Sequence, residues 1–349
     1  MPQLPKLSYV LLSHNREKYI RAAIESAFAQ DYEGELEYIF SDDCSTDRTF
    51  EIIKECVAAY KGGRRVVVTQ PPANRHLAGN TNHAVQFVES DWIVRADDDD
   101  LSSVDRCSII GRAIAEHPGT SYVFTRMENF TDADAEAALL KAQSKRESIP
   151  QPKTLDVRAA GAPPPMQWFR RDLCLHQVWS TEHFRKFGPL PEDGYWVDDV
   201  MSFMRCCVLG TGLDIDVVTS YIRDGSGNMS RGGDDGERGY RAIMRMERFH
   251  DTYYNTVYSP LSATMGQVKE FLAAQPEATQ QSHAAFLAAM EDFLQLRKWQ
   301  CSYWRKGILN RVKICRRLGY STAFTMLYSL PMPVYAGLLS LLRKLKGTR

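Results

Sequence analysis

The chain has 349 residues, 44% of them hydrophobic, which is enough apolar material for a large core and excludes a disordered scaffold. Its 43 basic residues balance 43 acidic ones, so no global positive field draws it to nucleic acid, which is not expected as a partner. The eight cysteines include no Cys-x-x-Cys pair, and Lys6 leads straight into an apolar run without the pattern of a secretory leader, so the expectation is a cytoplasmic protein with reduced thiols.

Leu7 to Leu12 is a nearly continuous apolar run that predicts a strand buried on both faces, ending in Ser13-His14-Asn15. Tyr19, Ile20, Ala23, Ile24, Ala27 and Phe28 then recur at helical spacing, with Ser13 or Asn15 placed to cap the first turn. The pattern repeats: strand over Tyr38–Ser41, helix along Phe50, Ile53, Cys56, Val57 and Tyr60, strand over Arg65–Thr69, helix over Ala78–Val88, strand over Trp92–Ala96. This alternation predicts right-handed crossovers and a mostly parallel α/β sheet, whose ligands bind beyond the carboxyl ends of the strands. From Asn129 to Pro165 the pattern loosens into an expected linker, and past Arg238 the chain reads as helical to its end. The stretch Leu318 to Leu342 carries no charge and is flanked by Arg316-Arg317 and Arg343-Lys344; it reads either as a helical pair lying in a membrane interface or as a buried C-terminal pair.

Two acidic clusters fall at predicted strand ends. Asp97-Asp98-Asp99-Asp100 follows the fourth strand, where neighbouring carboxylates repel by roughly 4 kcal/mol per close pair at an intermediate dielectric. A hard divalent cation, Mg²⁺ or Mn²⁺, relieves that repulsion and keeps positions open for phosphate oxygens. Asp42-Asp43 closes the second strand, where an Asp can accept hydrogen bonds from a base N–H or a ribose hydroxyl, while Ser45 to Asp47 caps the next helix.

Leu12-Ser13-His14-Asn15-Arg16-Glu17, Asp42-Asp43-Cys44-Ser45-Thr46-Asp47, Asn74 with Asn82, and Asp97 to Asp100 followed by Asp105-Arg106 resemble, in order and spacing, the family-two glycosyltransferases of the GT-A fold over about the first 125 residues. The resemblance implies a Rossmann-like, mostly parallel sheet with flanking helices and a helical C-terminal segment. With the change of pattern near Asn129, the expectation is a domain over 1–238, divided into a nucleotide-sugar half (1–125) and an acceptor half (126–238), followed by a helical region over 239–349 whose 318–345 segment either meets a membrane or packs as core. The resemblance also implies an inverting transfer from a nucleotide-diphosphate donor, most often a UDP-sugar, to a hydroxyl of a glycan or lipid-linked acceptor, in the cytoplasm or at the inner membrane face. Asp43 would read the base; Leu12, Ser13, Asn15, Glu17, Asn74 and Asp98 would line the nucleotide pocket; the Asp-x-Asp pair Asp97 and Asp99 would hold the metal.

In Glu192-Asp193-Gly194-Tyr195-Trp196-Val197-Asp198-Asp199 the acidic pair opens an amphipathic helix, which alone reads as helix-dipole stabilisation. The resemblance makes Asp199 the general base, with Asp198 on the acceptor; Trp196, so close to both in sequence, is expected to stack on an acceptor sugar. Tyr221 to Gly233 reads as a lid or plain loop in which Asp224 stands where the family often has a metal-binding His. Thr81 stands where a phosphate-facing Arg or Lys is common, leaving Arg16, Arg75 or His76 as substitutes. Two other classes come into consideration. A sugar-phosphate nucleotidyltransferase would carry a Gly-rich basic loop after the first strand, which Ser13 to Arg16 is not. A non-catalytic nucleotide-sugar module would have no use for both Asp99 and Asp199.

Overall fold

The computed structural model describes residues 2–146, 148–159, 178–192, 198–224, 258–300 and 307–317, with scattered positions between 322 and 338. Strand β1 (Leu7–Ser13) is buried along its whole length and sits between β2 (Leu36–Asp42) and β4 (Trp92–Asp97), both parallel to it; β3 (Val66–Thr69) extends β2. Alternate side chains of β1 serve opposite faces. Leu7, Tyr9 and Leu11 join a core with α1 (Ile20–Phe28), α2 (Thr49–Ala59) and α4 (Arg106–Glu116); Val10 and Leu12 pack with α3 (His76–Val85) on the other side. The near-continuous apolar run was the correct signal for a strand covered by helices on both faces.

Beyond β4 the sheet is mixed. In the order β3-β2-β1-β4-β8-β6-β9-β5, β8 (Val178–Ser180) is antiparallel to β4 and to β6 (Thr120–Phe130), β9 (Thr211–Arg223) is parallel to β6, and β5 (Leu101–Ser102) and β7 (Lys153–Leu155) are antiparallel to β9. The expected linker between Asn129 and Pro165 instead holds the end of β6, helix α5 (Ala135–Gln143) and β7. Tyr221 to Arg223, read as the start of a lid, belong to β9. Helices α6 (Glu182–Phe187) and α7 (Asp198–Cys206) cover this half.

The expected helices past Arg238 are present over 258–273, Glu277–Gln300 and Ile308–Arg317. Leu261, Met265, Met290 and Phe293 share one core with Tyr122, Phe124 and Phe203, so the first two of these helices pack on the half of the sheet beyond β4. Among the described residues no helix is long and apolar enough to cross a membrane; the 318–345 stretch lies almost wholly outside them.

Candidate active site

The carboxyl ends of β1, β2 and β4 meet where the strand order turns from β2-β1 to β1-β4: Leu12 lies beside Ser41 and Asp97, and Ser13 beside Asp42. That reversal is where an open α/β sheet leaves a crevice. The non-glycine residues with positive φ among those described are Asn15 (53°), Cys44 (56°) and His76 (57°), and all three border it. Backbone strain concentrated in this way marks a functional region.

Side chains hold these loops in shape. Asp42 accepts from Ser45 N–H (2.9 Å) and Gln70 Nε2 (2.8 Å) through one oxygen, and from Ser45 Oγ (2.5 Å) and Ser13 Oγ (3.2 Å) through the other, so this buried acid fixes the turn. Asn15 Oδ1 accepts from Thr46 N–H (2.8 Å), and Glu17 Oε2 from Arg48 N–H (3.0 Å). These two predicted pocket residues thereby stitch the first loop to the second. Asp47 Oδ1 accepts from Thr49 N–H (2.9 Å) at the start of α2, whose cap residue is Arg48, without a side-chain cap bond. Neither Ser13 nor Asn15 caps α1; its cap residue is Tyr19, without a side-chain cap bond, because Ser13 is still in β1 and the Asn15 amide is spent on Thr46.

One wall of the crevice is Asp43, buried at 3% exposure. Its Oδ1 accepts from Arg75 N–H (2.8 Å), and its carbonyl accepts from His14 Nδ1 (2.9 Å) and Asn74 Nδ2 (3.1 Å), bringing Asp43 and Asn74 together as the sequence pattern required. Burial pushes the Asp43 carboxyl above the usual carboxylate range, opposed by the Arg75 N–H. The Arg75 side chain turns away to form a bidentate pair with Glu192, which also accepts from Asn82 Nδ2 (2.8 Å). Arg75 is thereby engaged on the wall of the crevice and not held toward the acids.

The floor is the acidic turn. Asp98 Oδ2 accepts from His14 N–H (2.8 Å), tying the turn to β1. Arg16 Nε donates to Asp99 Oδ2 (3.2 Å) and lies 3.6 Å from Asp98 Oδ1. Asp100 Oδ1 accepts from Arg223 N–H (2.7 Å), so the antiparallel pairing of β5 with β9 delivers Arg223 and the following Asp224 to the turn. Asp224 is anchored by its own N–H on Phe130 O (2.6 Å), and the Arg223 guanidinium lies between the rings of Tyr19 and Phe130 while pairing with Asp132 (2.6 Å). Burial and then the charge of a neighbouring Asp push Asp99 up to about 7 and Asp100 up to about 8.

These are hard oxygen donors whose mutual repulsion the Arg16 guanidinium relieves only in part, the chemistry that suits Mg²⁺ or Mn²⁺. Among the described residues no three His, Cys, Asp or Glu side chains form a ready metal cage. Carboxylates of this kind are what a hard cation such as Mg²⁺ uses when it is held by one or two side chains and shared with phosphates.

Across the floor stands the start of α7. Asp198 is fully buried; its Oδ2 accepts from Arg95 Nε (3.0 Å) and from Thr81 Oγ1 (3.1 Å), while its Oδ1 has no hydrogen-bond partner among the described residues. Expected to orient an acceptor, Asp198 instead neutralises a buried arginine. Asp199 is half-buried, accepts from Val200 N–H (2.7 Å), and is pushed up to about 8 by burial and by the charge of Asp198. Trp196, with 193–195 and 197, lies outside the described residues. Trp179 is fully buried in the core beside Tyr122 and Phe203.

The pattern of motifs gave Arg95 no role. Arg95, 4% exposed within β4, bonds both Asp198 and Asp97 (2.9 Å from Nη1), and Thr81 meets Asp198 instead of a phosphate-binding cation standing in its place. The signal was an arginine inside an apolar strand, tolerable only with buried counter-charges.

Residues 8–176 match the model described as Glycosyl transferase family 2. EpsE of Bacillus subtilis, a protein named as a glycosyltransferase, is 31% identical over 159 residues, which cover 46% of this chain and 53% of EpsE. Poly(ribitol-phosphate) β-N-acetylglucosaminyltransferase TarS of Staphylococcus aureus is 30% identical over 114 residues, 32% of this chain and 19% of TarS. The chain thus aligns with about half or less of these relatives. In structure it is similar to residues 1–349 of S. aureus TarS in complex with UDP, with a TM-score of 0.51 and 15% identity, covering 91% of this chain and 93% of that one. The same fragment in complex with UDP-GlcNAc gives a TM-score of 0.51 at 16% identity.

Proposed function

Because residues 8–176 form a family-two glycosyltransferase domain, we propose that this chain moves a sugar from a nucleoside-diphosphate donor to a hydroxyl of a glycan or lipid-linked acceptor, with inversion at the anomeric carbon. The observation that carries the reading is the pair of carboxylate groups on either side of one guanidinium. Asp97 and its neighbours lie on one side of Arg95, and Asp198 with the following Asp199 lies on the other. The two demands of glycosyl transfer, a place for the departing diphosphate and a base for the attacking hydroxyl, thus sit side by side.

On this reading Asp43, Asn74 and the Leu12–Ser13 strand end hold the nucleoside, with Asn15 and Glu17 keeping their loop in shape. Asp97 and Asp99, joined by Asp224, hold Mg²⁺ or Mn²⁺. When bound, the cation supplies charge stabilisation for the leaving diphosphate. Asp199, with its proton affinity raised to about 8, takes the proton of the acceptor hydroxyl as that oxygen attacks; a placed base is worth on the order of 10²- to 10⁴-fold. Attack from the base side, opposite the diphosphate, gives inversion. A uridine donor is favoured because the TarS relative is an N-acetylglucosaminyltransferase whose structures hold UDP and UDP-GlcNAc. An acceptor at the inner membrane face suits the uncharged Leu318–Leu342 stretch with its basic flanks.

Calorimetric titration of UDP, GDP, dTDP and CMP with and without Mn²⁺, followed by assay of the matching nucleotide sugar, tests this. UDP binding that requires Mn²⁺, with turnover lost in Asp199→Asn while binding persists, is expected. Transfer at the normal rate by Asp199→Asn refutes the assignment of the base.

A further inference from the structure

Arg95 is an expensive residue to place where it is. Its side chain is 4% exposed in the middle of a six-residue buried strand, and a buried cation without compensation is strongly unfavourable. Its two compensating carboxylates come from opposite sides of the crevice: Asp97 at the end of its own strand, 2.9 Å from Nη1, and Asp198 of α7, 3.0 Å from Nε. Arg106 fixes the Arg95 backbone in turn, donating from Nη2 to Arg95 O (2.8 Å) from beneath the sheet. Asp198 is held on a second side by Thr81 of α3.

The pattern differs from ordinary core charge pairing in what it joins. α7 is preceded in the chain by Glu192, which Arg75 and Asn82 hold at α3. The first turn of α7 is therefore fixed toward β4 through Asp198 and its two donors, and Asp199 is the very next residue. A shift of that turn moves the Asp199 carboxylate relative to Asp97 and Asp99, and an error of about 1 Å in such a group costs on the order of 10²-fold in rate.

We propose that Arg95 is a positioning residue for transfer: by bridging Asp97 and Asp198 it sets the Asp199 carboxylate at a fixed place relative to the donor-side acids. This rests on the reading of Asp199 as the base. The bidentate use of a planar guanidinium is essential to it, because an ammonium is a point charge that cannot span two carboxylates in defined directions.

Arg95→Lys, which keeps the charge, and the double variant Arg95→Met/Asp198→Leu, which removes the buried pair together, provide the test. Full-length proteins are assayed for melting temperature, UDP affinity with Mn²⁺, donor KM and kcat. The expected result is that both variants fold, bind UDP with Mn²⁺ and show donor KM within two-fold of wild type, while kcat falls at least ten-fold. Recovery of kcat to within two-fold in either folded variant overturns the proposal, as does a change confined to donor KM. Loss of folded protein in both variants reduces Arg95 to a structural charge and overturns it equally. A dead Asp199→Asn beside a fully active Arg95→Lys sinks this inference alone, whereas an active Asp199→Asn sinks the reading beneath it.

Discussion

Asp198→Ala separates two roles that one carboxylate cannot serve together. An Asp facing an acceptor is a surface contact whose removal raises acceptor KM and leaves stability alone. The fully buried Asp198, bonded to Arg95 and Thr81, is half of a charge pair inside the domain. Truncating it leaves the Arg95 guanidinium with Asp97 as its remaining directly bonded carboxylate. Breaking one side of a buried pair costs about 3–5 kcal/mol. At about 2–4 °C per kcal/mol for a domain of this size, the melting temperature falls by roughly 6–20 °C. Asp198→Asn, which keeps a hydrogen-bond acceptor, loses less, and Thr81→Val, which removes one neutral donor, loses about 1 kcal/mol. The series is read by differential scanning calorimetry. A second readout is independent of stability: the Asp198 charge helps to raise the proton affinity of Asp199, so in Asp198→Asn the pH midpoint of kcat moves to lower pH. An Asp198→Ala protein that melts within about 2 °C of wild type and shows only a raised acceptor KM refutes the argument and restores the sequence-based role.

In wild type, kcat at saturating donor and Mn²⁺ rises with pH to a plateau, with its midpoint no higher than about 8, because Asp199 must lose its proton to act as base; a profile flat from pH 6 to 9 excludes it. Asp99 gives a stability signature. Its folded-state value of about 7 lies above the ordinary 3.8, so the folded protein holds a proton that the unfolded chain releases, and stability is lost as pH rises between the two values. Asp99→Asn therefore melts like wild type near pH 4 and above it at pH 8 in the absence of metal; equal melting at pH 8 contradicts the burial argument. Asp99→Ala abolishes the Mn²⁺-dependent part of UDP binding by calorimetry, and retention of that part removes Asp99 from the metal site. Gly212→Ala places a Cβ about 2.0 Å from the ring of the buried Tyr122, which must shift, so denaturant unfolding should show a loss of about 1–3 kcal/mol; an unchanged midpoint refutes that packing.

The nucleotide half was legible because its signals are local. An apolar run of strand length, a helical stripe after it and an acidic turn at the next strand end each lie within a dozen residues, and the crossover rule assembles them. The half beyond β4 was not. β8, β6, β9 and β5 pair across large sequence separations, with antiparallel and parallel neighbours mixed, and nothing in Asn129 to Pro165 announces a helix and a strand.

The site follows the same division, and Asp42 and Asp198 show why. Both were singled out as acids in the right place, and residue type alone cannot tell an acid that faces a ligand from one that satisfies its own loop. Asp42 is consumed by Ser13, Ser45 and Gln70, and Asp198 by Arg95 and Thr81. The acids that stay chemically expectant are Asp99, Asp100 and Asp199, which burial and then the charge of a neighbouring Asp lift to about 7 to 8. Deciding between neighbours such as Asp198 and Asp199 thus requires knowing where the cations of distant segments fall. Arg95 sits 103 residues from Asp198 in the chain. No spacing rule connects them; only the folding of β4 against α7 does.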